Sequence, residues 1–177
     1  VNHRDDYLKP LKPSYVYVAS SWRNMFQVAL CAALKSAGID HYDFKNPPNG
    51  AGFSWKEVKT EGGPESDVLY ALQMRGMAAP KKGSDWELVD EYQRMLAHPR
   101  AEEGFLADFE AMQKADTFVL VLPCGKSAHL ELGWAVGMGK RTAIWLENPV
   151  EPELMYKMVD YLAPSLFDLL GWLGVED

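Results

Sequence analysis

With 177 residues, 47% hydrophobic and 24% charged, the chain is long enough for a sizeable core and has an ordinary globular profile. Its 18 basic and 25 acidic residues give a net charge of −7, which argues against duplex nucleic acid but leaves room for a small nucleotide held by a few local donors. Two cysteines, Cys31 and Cys124, cannot build a disulfide framework, and no apolar run approaches membrane-spanning length.

The first residues, with His3, Arg4, Asp5 and Asp6, carry no signal-peptide core, and a chain opening on Val1 is expected to have a processed or trimmed end. A cytoplasmic, reduced protein is expected. Residues 1–14 read as an arm and 15–177 as one α/β domain. Tyr15 to Ala19 is a β-rich run expected to be the central first strand. Asn24 to Ala37 places Phe26, Leu30 and Leu34 on one helical stripe ended by Gly38, and Ile39 to Phe44 reads as the second strand. Such a β-α-β unit normally makes a parallel pair.

A Pro/Gly-rich loop over 45–64 holds Phe53 and Trp55, whose rings suit either base stacking or anchoring of the loop. Helices are expected over Glu65 to Met77, Asp85 to Leu96, and Pro99 to about Lys114, with a break over Ala78 to Gly83. Asp116 opens the third strand, Thr117 to Leu122. Ser127 is the expected N-cap of a helix to Met138, Gly139 ends it, and Arg141 to Leu146 is the fourth strand. Lys140 and Arg141, after that helix, read as pairing with its dipole. The tail, Pro152 to Leu173, reads as two helices interrupted at Pro164. The sum is a small doubly wound α/β fold of flavodoxin or Rossmann type, mainly parallel, with helices on both faces. Its ligands are expected beyond the carboxyl ends of the strands.

Several motifs are imitated and not completed. Gly125-Lys126-Ser127 resembles the end of a P-loop, but Leu120 stands where the loop needs its first glycine. His129-Leu130-Glu131 has the H-x-E of zinc deaminases, yet Pro123-Cys124 lies upstream and Ser127 replaces the second cysteine, so no metal is expected. The turn from Ala19 to Asn24 has no glycine, which removes the dinucleotide fingerprint. Cys124 and His129 have the spacing of a nucleophile and base, against the plainer reading of a small residue at a strand end.

Two carboxylates stand out. Asp108 shares a helical face with Phe105, Phe109 and Met112, and Glu131 lies among Ala128, Ala135 and Met138. A carboxylate on an apolar face costs free energy unless paired. Tyr17, Ser20, Ser21, Trp22 and Arg23 end one strand. The helix with Asp108 and the turn at Asp116, and the loop from Pro123 to Ser127 leading to Glu131, are expected at the same sheet edge. Paired carboxylates there suit glycosidic chemistry, and helix N-termini with Ser and Arg suit an anionic group. The plainer readings are a dipole-stabilised Glu131, a solvated Asp108, a structural Asp116, sheet packing for Tyr17, and a turn carboxylate at Asp43.

Val16-Tyr17-Val18-Ala19-Ser20-Ser21-Trp22-Arg23, then Asp108 with Ala115-Asp116 before an apolar strand, then Glu131-Leu132-Gly133-Trp134-Ala135 with Gly139-Lys140-Arg141 resemble the nucleoside 2-deoxyribosyltransferase superfamily, which includes the 2′-deoxynucleoside 5′-phosphate N-hydrolases. The resemblance covers about half the chain. It implies cleavage or transfer of an N-glycosidic bond, with Glu131 as nucleophile, Asp108 as the acid at the departing base and Tyr17 beside the nucleophile. Ser20 and Trp22 of the matching turn, with Gly125, Ser127 and His129, are expected to contact the substrate, and Ser21 and Arg23 match the positions that hold the 5′-phosphate in the hydrolases. It also implies no cofactor, a small-molecule nucleoside or nucleotide substrate, and a homodimer or higher homo-oligomer, for which Tyr156, Tyr161, Phe167 and Trp172 offer a surface if they do not cover the sheet. The chain departs from the pattern at Gly125, where transferases have Asp and hydrolases Ser, and at His129, where Gly is frequent. Ser127 or Lys126 then takes over the contact, or the substrate differs. Two rival functions are a TIR-like NAD glycohydrolase and a non-catalytic nucleotide-binding module.

Overall fold

A computed structural model describes residues 10–48, 50, 52–58, 85–147 and 151–175. The helix expected over Glu65 to Met77 and the break over Ala78 to Gly83 lie outside the described residues, as does most of the arm. The elements in chain order are β1 (Val16–Ala19), α1 (Met25–Ser36), β2 (His41–Tyr42), a 3-10 turn (Trp55–Glu57), α2 (Asp85–Leu96), α3 (Pro99–Lys114), β3 (Thr117–Val121), α4 (Lys126–Gly137), β4 (Arg141–Trp145), a 3-10 turn (Leu154–Met158), β5 (Tyr161–Ala163) and α5 (Leu166–Trp172).

Among the described residues five strands lie in the order β2-β1-β3-β4-β5, and their four pairings are parallel. The three central strands are buried on both faces, as a doubly wound sheet requires. Because side chains alternate along a strand, each of them feeds two cores. Val16, Val18, Val119, Val121, Ala143 and Trp145 pack with Leu30, Cys31 and Leu34 of α1 and Leu169 and Trp172 of α5. Tyr17, Ala19, Phe118, Leu120 and Ile144 face the other way, onto Ala111 and Met112 of α3 and Ala128, Leu132 and Ala135 of α4. Each fully buried Leu or Ile contributes about 1.5–3 kcal/mol by leaving water.

The chain leaves β1 toward one face, through α1, and leaves β3 toward the other, through α4. The gap between the carboxyl ends of β1 and β3 is therefore the place where the winding reverses, and such gaps receive ligands in this class of fold. Asn24 bridges it. Its side chain caps α1 by accepting from the Phe26 amide at 2.9 Å, and its amide nitrogen donates to Ser20 Oγ, the Val121 carbonyl and the Pro123 carbonyl at 3.0, 3.0 and 3.1 Å.

Local chemistry corrects the expected boundaries. The second strand is only two residues long, because Asp43 Oδ1 accepts from the Lys45 amide at 3.0 Å and turns the chain. The N-cap of α4 is Gly125, not Ser127, which lies exposed in the first helical turn. The tail holds a 3-10 turn, a strand and a short helix in place of two helices: Leu146 N donates to the Ala163 carbonyl and Asp160 N to the Thr142 carbonyl, so β4 captures the segment as a fifth strand. Tyr161 stacks on buried Trp172 at 5.6 Å and so covers the sheet, whereas Phe167 is 69% exposed.

The two basic residues after α4 are used differently from the expected dipole pairing. Lys140 donates to the carbonyls of Gln113 and Ala115 at the end of α3, a different helix. Arg141 is buried, lies 3.6 Å above the Trp172 ring, and donates to the carbonyls of Leu11 and Trp172, each at 2.7 Å, tying the lead-in to the tail.

Candidate active site

Parallel pairing puts Tyr17 of β1 directly beside Tyr42 of β2, on the face that carries α3 and α4. Their rings stack at 5.4 Å and 15°, and Phe118 of β3 stacks on Tyr17 from the other side at 4.9 Å. Each tyrosine meets one helix carboxylate. Tyr42 donates its hydroxyl to Asp108 Oδ1 at 2.8 Å, and Tyr17 hydrogen-bonds with Glu131. The aromatic floor thus brings together a carboxylate from α3 and one from α4 without neutralising either.

Both carboxyl groups are harder to ionise than usual. Burial pushes Glu131 up, the nearby Asp108 charge adds to this, and Tyr17 partly opposes it, with a net rise from 4.5 to about 7. Burial also raises Asp108, against the lowering effect of the Tyr42 hydrogen bond. Tyr17 and Tyr42 are themselves driven far above their ordinary range, first by burial and then by the two carboxylates, so both remain neutral donors. Like charges that act on one another resist joint ionisation, so the Asp108 charge adds to the cost of ionising Glu131.

Glu131 is the sixth residue of α4, beyond the first turn, so the helix dipole does not account for its placement. Ala128 and Ala135 are buried beside it as expected, but Met138 is 60% exposed. On α3, Met112 is buried while Phe105 lies exposed, stacked on Phe109 at 5.4 Å.

A cavity of about 410 Å³ opens on the Asp108 side of the pair. Trp22, Phe44, Phe53, Tyr42 and Asp108 form part of its wall, and Arg100 and Glu103 supply charge. Glu131 and Tyr17 are not in that wall. The loop over 52–58 is drawn onto α3 at a glycine: a Cβ at Gly104 would stand 2.8 Å from the Cβ of Phe53. A Cβ at Gly52 would stand 2.5 Å from the Phe44 carbonyl and 2.6 Å from the Trp22 ring. Arg100 Nε reaches Glu57 at 2.7 Å and fastens the same loop from outside. Phe53 therefore both anchors the loop and lines the cavity, and Trp55 packs edge-on against it at 4.8 Å.

The remaining sequence candidates divide. Ser20 Oγ donates to the Val121 carbonyl at 2.9 Å and accepts from Asn24, so it braces β1 against β3. Ser21 closes the turn, accepting from Arg23 N at 3.3 Å on its hydroxyl, and Arg23 is exposed. Trp22 meets Phe44 edge-on at 5.3 Å at the cavity. Asp116 does not share their edge: it precedes β3, at the opposite end of the sheet, and accepts from the Ser14 amide at 2.7 Å and from the Ser14 hydroxyl. Asp43 is likewise occupied, by Gln27 Nε2 at 2.7 Å as well as by its own turn.

His129 lies two residues before Glu131, so the two side chains leave α4 on different flanks. Its Nδ1 is 2.9 Å from the Gly125 carbonyl, an acceptor that calls for a proton on Nδ1, and its Nε2 is 2.8 Å from the Tyr156 hydroxyl. Cys124 Sγ is 3.5 Å from that same Nδ1, but burial and the Glu131 charge push its thiol up to about 12, the reverse of an activated nucleophile. Among the described residues no cluster of three or more His, Cys, Asp or Glu is arranged to hold a metal, and no helix is long and apolar enough to cross a membrane.

Tyr42 was absent from the sequence candidates. Its signal was available: a tyrosine in the strand beside β1, on the side-chain parity that faces α3.

A solved structure of a 2-deoxyribosyltransferase from the psychrotolerant bacterium Bacillus psychrosaccharolyticus, described as a biocatalyst for nucleoside synthesis, is similar over 92% of both chains, with a TM-score of 0.51 and 16% sequence identity. The chain has the fold of that 2-deoxyribosyltransferase. No family model and no curated protein matches it.

Proposed function

We propose that the chain is an enzyme that cleaves or transfers the N-glycosidic bond of a nucleoside or nucleoside 5′-monophosphate. The observation that carries this reading is the pair Asp108 and Glu131, two mutually repelling carboxyl groups half-buried on the aromatic floor that Tyr17 and Tyr42 make on β1 and β2. The shared fold and the local sequence motifs support the same chemistry.

In the proposed cycle a Glu131 oxygen bonds to C1′ of the sugar as the bond from C1′ to the base nitrogen breaks. Asp108 gives the base its proton, and the transition state is oxocarbenium-like. Water, or the N–H of a second base, then attacks C1′, releases Glu131 and returns a proton to Asp108. A pair in which Glu131 titrates at about 7 is suited to this, since one member must be charged and the other protonated.

Trp22 and Phe53 would contact the base from the cavity wall, while Ser21, Arg23, Gly125, Ser127 and the exposed N-terminus of α4 would meet the sugar end or a 5′-phosphate. His129 with Tyr156 would border that end from the far flank of α4. No cofactor enters the cycle. The proposal includes a cytoplasmic homo-oligomer. Sedimentation should give a mass of two or more chains, and a monomer at micromolar concentration would remove that part.

The test is base release from a panel of nucleosides and 5′-monophosphates by the wild type and by Glu131→Gln. Release by the wild type with loss of at least ~10³-fold in the variant is expected, in line with removal of a covalent nucleophile. Equal turnover by both would end the proposal.

A further inference from the structure

We infer that Tyr42 is a positioning residue for Asp108: its hydroxyl holds one carboxylate oxygen in place, and a base entering the cavity must compete with it for that oxygen. This rests on the reading of Asp108 as the acid at the leaving base. The geometry is specific. Tyr42 is buried on β2, its ring is fixed by stacking on Tyr17, and its hydroxyl is 2.8 Å from Asp108 Oδ1. Both Tyr42 and Asp108 line the cavity, so an entering ligand meets this hydrogen bond.

A phenol that donates to a carboxylate favours the charged form. Tyr42 therefore favours ionised Asp108, which leaves the proton shared by the pair on Glu131 in the empty site. A base nitrogen that takes the place of the Tyr42 hydroxyl removes that preference, and the proton becomes available to Asp108 while Glu131 is freed as carboxylate. Substrate entry would then set the acid and the nucleophile together.

The other groups that face the pair are neutral or belong to the charged wall of the cavity. Tyr17 from β1 is neutral and donates to Glu131, and Cys124 from the loop after β3 is neutral. Tyr15, before β1, lies near Tyr42 and is also held neutral by burial. Across the cavity Glu103 and Arg100 pair at 3.3 Å, and Glu110 completes the charged wall.

The experiment follows the side-chain carboxyl carbons of Asp108 and Glu131 by carbon-13 NMR titration in the full chain. In Tyr42→Phe the Asp108 step should move up by about one pH unit, the size of one lost charge-assisted hydrogen bond, and Glu131 should become more ionised at neutral pH. Tyr17→Phe should instead raise the Glu131 step. In the wild type, the Tyr42 ring carbon bearing oxygen should follow the Asp108 step, a readout that needs no variant to fold. An Asp108 step unchanged by Tyr42→Phe, or a Tyr42 signal blind to that step, overturns the inference. If these shifts appear but no nucleoside is cleaved, the glycosidic reading fails and only the hold of Tyr42 on the Asp108 carboxylate stands.

Discussion

Replacing Glu131 with Gln should stabilise the protein in a pH-dependent way. The folded carboxyl titrates near 7 instead of 4.5, so the native state keeps a proton that the unfolded state has already released. The direction follows from linkage. Below about pH 4.5 both states are protonated and the site costs nothing. Between 4.5 and 7 stability declines as the unfolded chain ionises alone, and above 7 the full penalty applies. At ~1.4 kcal/mol per pH unit the penalty is about 3 kcal/mol, from burial first and the Asp108 charge second. Gln keeps the shape and an acceptor for Tyr17 but carries no charge. Urea unfolding at about pH 4.5, 6, 7 and 8 should therefore show Glu131→Gln near wild type in acid and more stable by up to about 3 kcal/mol at the alkaline end. For a domain of this size that corresponds to a Tm gain of about 6–12 °C. A difference constant across these pH values, or a destabilised variant at the highest of them, would refute the electrostatic account of the pair.

Other perturbations test the frame around it. Asn24→Asp keeps a good helix cap but puts a carboxylate against the carbonyls of Val121 and Pro123; a loss of about 2–4 kcal/mol in urea unfolding is expected, and wild-type stability would mean the bridge from β1 to β3 is unimportant. Arg141→Lys should cost about 1–3 kcal/mol in the same assay, because an ammonium cannot reproduce the fork that reaches two carbonyls. Gly104→Ala should raise KM for nucleosides and speed proteolysis within residues 44–58, since the new Cβ displaces Phe53; an unchanged KM would separate that loop from binding. Cys124, pushed up to about 12, should react with iodoacetamide near neutral pH at least ~10-fold more slowly than a free thiol, and Cys124→Ser should keep turnover.

The parts of the fold governed by local pattern were legible in the sequence. Asp85–Leu96 and Pro99–Lys114 have the expected bounds, because apolar periodicity, the proline at N1 and a capping residue, His98, all agree. Side chains alternate along β1, so Tyr17 lies with the carboxylates while Val16 and Val18 face the other core. What tertiary pairing decides was not legible. Tyr161–Ala163 becomes a strand only because β4 offers an open edge, and the partner of Asp116 is Ser14, 102 residues away in the chain.

At the site, the apolar neighbours of Glu131 and Asp108 single them out in the sequence, and strand parity points Tyr42 to the same face without telling which carboxylate it meets. The role of Tyr42 depends on register with Tyr17, which is a contact between strands. Ser20, expected as a substrate contact, spends its hydroxyl on Val121 and Asn24, a use that only the closeness of β1 and β3 creates. The expected cap at Ser127 failed for a simpler reason: the chain enters α4 earlier than a cap there would require, with Gly125 in the capping position and Lys126 already helical.

Covalent trapping tests the central claim most directly. A 2-fluoro nucleoside slows both formation and breakdown of a glycosyl-enzyme by destabilising the oxocarbenium-like transition state, and so lets the intermediate accumulate. Intact mass and peptide mapping should find one fluorosugar per chain, attached to Glu131 and absent from Glu131→Gln. Base release without any adduct, or an adduct on a different residue, would contradict the account.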